Sequence, residues 1–101
     1  MLFRSAIGYG IEGVVVDGNN VLEVYDTVRA LAEKMRKDPK PVLLECMTFR
    51  MRGHEEASGT KYVPATLFAE WEQKDPIKNY ERYLIEQSVL TAFDEIGRAH
   101  V

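Results

Sequence analysis

The sequence predicts an α/β chain: one parallel βαβ unit, then a long irregular loop, then C-terminal helices. Two short apolar runs, Val14-Val15-Val16 and Pro41 to Thr48, read as strands. Between them, apolar residues recur at helical spacing from Val21 to Met35. A strand, a helix and a second strand over roughly 35 residues make a parallel unit, because the crossover helix returns the chain in the same direction.

Each element follows from its residues. Gly8, Gly10 and Gly13 punctuate the opening. The β-branched run then ends at a turn, Asp17-Gly18. Asn19 and Asn20 are both able to cap a helix, and Glu23 stands three residues after Asn20, as in a capping box. Val21, Val24, Tyr25, Val28, Leu31, Ala32 and Met35 form one stripe that is expected to be buried. The helix should stop near Asp38-Pro39, since proline restricts the residue before it. Cys46 sits in the second apolar run and is expected to be a small core residue. Both strands are too apolar for solvent on both faces. Parallel sheets are covered on both faces, so further strands are expected outside this chain.

From Arg50 to Pro64 the helical and strand periods vanish. At about 14 residues this is a long connection, and such loops are often functional. It also leaves the C-terminal end of a parallel strand, where α/β sheets bind their ligands. Pro64 suits the first turn of a short helix carrying Leu67, Phe68 and Trp71. Asp75-Pro76 is a second start signal, ahead of a stripe of Ile77, Tyr80, Tyr83 and Leu84. Thr91 with Asp94 suggests a third cap.

Composition excludes several function classes. The 101 residues suit one small domain or part of a larger one. A net charge of -3 lacks the basic excess of a nucleic-acid binder. One cysteine cannot form an internal disulfide. No run approaches the ~18 apolar residues of a membrane helix. The N-terminal residues lack the pattern of a secretory signal, so a cytoplasmic setting is expected.

The informative segment is Thr48-Phe49-Arg50-Met51-Arg52-Gly53-His54. Two guanidinium groups and an imidazole follow a strand within a few residues. Arginine grips phosphate oxygens through paired donors. Histidine exchanges protons near neutral pH. Gly53 permits backbone geometry closed to other residues. Together they would suit an anionic, proton-exchanging site. On composition alone, an exposed polar loop with its charges solvated or paired to Glu55 and Glu56 is the slightly favoured account. No histidine spacing supports a metal site, as His100 is the only other one. Asp17-Gly18-Asn19-Asn20 resembles the start of a calcium loop but lacks the later ligands. The early glycines precede a strand, which is the wrong side for a dinucleotide fingerprint.

Three blocks together resemble one family. They are Gly8-Tyr9-Gly10-Ile11 running into Gly13 to Leu22, then Pro41 to Cys46 with Thr48 to His54, then Trp71 through Ile77. The chain resembles a C-terminal piece of the alpha subunit, or alpha half, of a thiamine-diphosphate-dependent 2-oxoacid dehydrogenase. Relatives of the branched-chain, pyruvate and acetoin types share the pattern. The resemblance implies a partial thiamine-diphosphate-binding fold over residues 1–95, with residues 96–101 read as a non-native tail. It implies oxidative decarboxylation of a 2-oxoacid, pyruvate or 3-methyl-2-oxobutanoate, with acyl transfer to a lipoyl group. His54 matches a catalytic histidine at the cofactor diphosphate, and Arg50 matches an arginine that orders the same loop. Magnesium would be bound by residues outside this chain, because the family's metal motif lies upstream. A beta subunit or beta domain and a lipoylated acyltransferase are the implied partners, in an oligomer with no membrane or nucleic-acid role. The fragment alone is expected to be inactive. A non-catalytic binding module built on the same βαβ unit is the alternative.

Overall fold

A computed structural model of the chain describes residues 2–55 and 57–91. The element order is α1 (Leu2–Gly8), β1 (Glu12–Asp17), α2 (Val21–Lys37), β2 (Val42–Met47), α3 (Ala65–Glu72) and α4 (Pro76–Glu86). The chain divides into two compact units, Met1–Arg50 and Met51–Val101. The expected Asp94 cap, His100 and the 96–101 tail lie outside the described residues. Among the described residues, no helix is long and apolar enough to cross a membrane.

In the first unit β1 and β2 pair in parallel, in register from Glu12 opposite Val42 to Asp17 opposite Met47. The predicted βαβ unit is therefore present. Helix α1 packs on both strands and α2 packs on β1. Alternation places Val14, Val16, Leu44 and Cys46 on one face and Val15, Asp17, Glu45 and Met47 on the other. Val16 is buried; so is Ala6 of α1. Lys34 of α2 reaches Glu12 of β1 at 2.9 Å, an exposed ion pair that contributes roughly 0–1 kcal/mol.

Helix α1 is absent from the sequence-based expectation. Its seven residues are too few for a period to be recognised, yet its stop signal is plain. Gly10 adopts φ 70°, its N–H donates to the Ile7 carbonyl at 3.1 Å, and Ile11 N–H donates to the Ala6 carbonyl at 3.0 Å. Those two bonds close the helix with glycine in the left-handed position, where a side chain would be strained.

Helix α2 starts as expected. The Asn20 side chain accepts from Leu22 N–H at 3.2 Å and Glu23 N–H at 3.3 Å, and the C-cap is Asp38. The capping box is only half made. Glu23 Oε1 accepts from Asp17 N–H at 3.4 Å, while Asn20 N–H donates to the Asp17 carbonyl. The glutamate thus secures the end of β1 and leaves the cap residue to the turn.

Burial departs furthest from expectation. Along the α2 stripe only Val24, Leu31 and Ala32 are half-buried, while Val21, Tyr25, Val28 and Met35 are exposed. Cys46 is exposed too, one residue before the end of β2. Amphipathic spacing marks which residues are built to be covered, whereas coverage itself needs a second layer. Two strands and two helices supply that layer over Val16 and Ala6 and little else.

The second unit contains α3 and α4 and no strand among its described residues. Pro64 precedes α3 in an extended conformation (φ -56°, ψ 134°), one step earlier than the expected first-turn position. Asp75 caps α4 as expected, accepting from Ile77 N–H at 3.0 Å and Lys78 N–H at 2.9 Å, with Pro76 in the first turn. Leu67, Phe68, Trp71, Tyr80 and Leu84 are half-buried, but Ile77 and Tyr83 are exposed. Tyr80 and Tyr83 stack with ring centres 6.3 Å apart. Helix α4 ends as α1 does, with Ser88 N–H on the Ile85 carbonyl and Val89 N–H on the Leu84 carbonyl, and with Ser88 at φ 59° in glycine's usual place.

Candidate functional site

Both strands of the first unit stop at the same level, so their C-terminal edge is a defined boundary. One backbone bond extends past it, from Gly18 N–H to the Met47 carbonyl at 2.8 Å. A Cβ on Gly18 would stand 2.8 Å from that carbonyl oxygen and 3.1 Å from Cys46, so this crossing admits only glycine without displacement. Side chains take over next. Thr48 Oγ1 donates to Asn19 Oδ1 at 2.6 Å, and Asn19 N–H donates to Asp17 Oδ1 at 2.9 Å. Asn19 is therefore a strand-edge tie and not the helix cap, which is Asn20. Phe49 is half-buried, and Arg50 closes the unit as an exposed residue.

The loop beyond belongs to the second unit. Arg52 and His54 are exposed, and Gly53 and Ser58 are half-buried. Gly53 is needed for a different reason from the one its spacing suggested. Its backbone is not in the left-handed region; instead, an added Cβ would collide with the Ser58 carbonyl group. The loop is thus folded back on itself, with Ser58 N–H on the Glu55 carbonyl at 2.9 Å and Val63 N–H on the Thr60 carbonyl at 3.0 Å. An open hollow is lined by Met51, Arg52, Gly53, Glu55, Ser58 and Thr60. His54 is not part of that lining. Arg50 and His54 each make an interaction within the chain. Glu56 lies outside the described residues.

Arg52 brings to the hollow a planar guanidinium with paired donors, which suit phosphate oxygens. Ser58 and Thr60 add hydroxyl donors to the hollow, while the Glu55 carboxylate opposes a second negative charge there. Among the described residues no group of three or more His, Cys, Asp or Glu side chains could hold a metal ion. The hydroxyl residues and the Thr48–Asn19 tie escaped sequence reasoning. The strand register would have revealed the tie, because Asn19 and Thr48 become neighbours only once Asp17 is set opposite Met47.

Comparison with known proteins gives this loop a context. The profile of the family described as "Dehydrogenase E1 component" matches residues 1–96. The 2-oxoisovalerate dehydrogenase subunit alpha of Bacillus subtilis is 37% identical over 90% of this chain and 27% of its own length. The 3-methyl-2-oxobutanoate dehydrogenase subunit alpha of Mycobacterium tuberculosis is 38% identical over 85% of this chain and 24% of its own. The chloroplastic pyruvate dehydrogenase E1 component subunit alpha-3 of rice, Oryza sativa, is 32% identical over 89% of this chain and 21% of its own. No solved structure matches. The chain spans about a quarter of the length of these relatives. The matches establish a short segment of such a subunit. Because the family profile runs through both strands, the cationic loop and both later helices, the chain belongs to the dehydrogenase E1 component family of thiamine-diphosphate-dependent 2-oxoacid dehydrogenases.

Proposed function

We propose that the chain is the C-terminal part of an alpha subunit, or alpha half, whose full-length protein decarboxylates a 2-oxoacid oxidatively and hands the acyl group to a lipoyl arm. The observation that carries this is the cationic loop that follows β2, at the C-terminal edge of a parallel pair, in a chain of this family. The substrate is 3-methyl-2-oxobutanoate or pyruvate. Two of the relatives above are named for the branched-chain activity and one for the pyruvate activity.

Bound thiamine diphosphate supplies the electron sink for loss of carbon dioxide. This chain's residues hold and position. Arg50 would hold diphosphate oxygens through paired N–H donors. His54 would contact the bound cofactor through a ring N–H and would supply the proton for the lipoyl sulfur that is released as a thiol. Magnesium is assigned to residues outside this chain. A beta subunit or domain and a lipoylated acyltransferase complete the assembly, in the cytoplasm, as an oligomer. The 101-residue chain alone is assigned no turnover.

The test is His54→Ala in the full-length alpha subunit paired with its beta partner, assayed with both oxoacids. Acyl transfer to a lipoyl acceptor should fall by about 100-fold or more, the usual scale for a lost proton donor. Decarboxylation coupled to an artificial electron acceptor should fall less. Wild-type acyl transfer in the variant would overturn the role of His54.

A further inference from the structure

We propose that Thr48 and Asn19 form a side-chain latch that fixes the launch point of the cationic loop, which makes both of them positioning residues for Arg50. This rests on Arg50 being an anion-binding residue, as argued above. Backbone pairing ends at Asp17 opposite Met47, with one further bond from Gly18 N–H to the Met47 carbonyl. Beyond that point Thr48 Oγ1 donates to Asn19 Oδ1 at 2.6 Å. The acceptor is itself held, because Asn19 N–H donates to Asp17 Oδ1 at 2.9 Å and Asn20 N–H donates to the Asp17 carbonyl at 3.1 Å. Asn20 in turn caps α2. Gly18 closes the remaining space, since it has no room for a Cβ against Met47 and Cys46. The turn after β1 is therefore rigid from Asp17 to Asn20, and the latch transfers that rigidity to Thr48. Arg50 lies two residues on, too near for its backbone to move independently of Thr48.

The latch differs from a plain stabilising bond in what it should change. A fixed Arg50 meets an anion without the cost of ordering the chain first, so losing the latch weakens anion binding more than it slows bound-state chemistry. A hydroxyl is required at position 48, not a particular volume. Thr48→Val keeps the shape and removes the donor; Thr48→Ser keeps the donor.

The experiment uses the full-length alpha subunit paired with its beta partner, and thiamine diphosphate as the probe. Thr48→Val and Asn19→Ala should each raise its half-saturating concentration by about 3- to 10-fold, the range for one net hydrogen bond. The kcat at saturation should stay within about twofold of wild type, as expected for lost uniform binding. Thr48→Ser should restore wild-type affinity. The double variant should lose less than the sum of the two single losses, because both break the same Thr48–Asn19 bond. Wild-type affinity in Thr48→Val, failure of rescue by Thr48→Ser, or additive losses in the double variant would each overturn the latch. Arg50→Ala separates this inference from the one beneath it. If Arg50→Ala weakens the cofactor and Thr48→Val does not, only the latch fails. If Arg50→Ala leaves affinity unchanged, the loop reading fails and the latch's role fails with it.

Discussion

The two units are held together by different kinds of interaction. In the first, the decisive bonds join residues far apart in sequence: the β1–β2 ladder, Lys34 to Glu12, and Thr48 to Asn19. In the second, Lys78 N–H donates to Asp75, Lys74 pairs with Glu70, and Asn79 Nδ2 donates to the Gln73 carbonyl, all between near neighbours in sequence. Among the described elements, substantial packing of one element on another occurs only within the first unit. A helix makes its backbone bonds within itself, while a strand makes them only with a partner. Damage should therefore spread in the first unit and stay confined in the second.

The sharpest way to break this contrast is Gly18→Val in the full-length subunit. A side chain there must displace the Met47 carbonyl, and overpacking of this kind costs about 1–3 kcal/mol. Chemical denaturation should show the loss as a shift of the whole transition. A loss confined to the turn's own amides would remove the claim that the ladder is the cooperative element.

A matched pair of cap deletions gives a finer comparison. Asn20→Ala and Asp75→Ala each remove two side-chain bonds to a helix start and should cost about 1 kcal/mol. Their reach should differ. Hydrogen exchange should quicken across β1, α2 and β2 in the first variant, but only along α4 in the second. Equal spread in both would erase the distinction between the units.

The smallest expected effect concerns two helix ends that share one design. Helix α1 closes on Gly10 and α4 closes on Ser88, both at positive φ. Ser88→Gly removes the left-handed strain of a residue with a Cβ and should stabilise α4 by up to about 1 kcal/mol. Gly10→Ser should do the reverse to α1. Thermal melts of the two variants that moved in the same direction would contradict the shared geometry.

What was legible in the sequence follows the same division. Asn20, Asp38, Asp75 and Pro76 mark helix ends through chemistry that acts over three or four residues, and the structure has them there. The strands were legible because β-branched runs between turn residues have few other uses. Helix α1 was not, because seven residues ending in glycine carry little period. The burial of Cys46 and of the α2 stripe was misjudged for another reason. Apolar residues record an intended neighbour, and this chain spans only about a quarter of its relatives' length. Tyr25 is 61% exposed on a helix face whose spacing asks for cover. At the site, Arg50 and His54 stood out by residue type and by their place after a strand. The need for Gly53 was legible but not its cause, since contact with Ser58 depends on how the loop folds back.

The Lys74 ammonium lies 4.6 Å from the ring centre of Trp71 and is tethered to Glu70 at 3.3 Å. Trp71 is the only tryptophan in the chain. Indole emission responds to a charge held over the ring, so this chain carries a built-in optical reporter. It sits on α3, so its emission would follow the loosening of that helix.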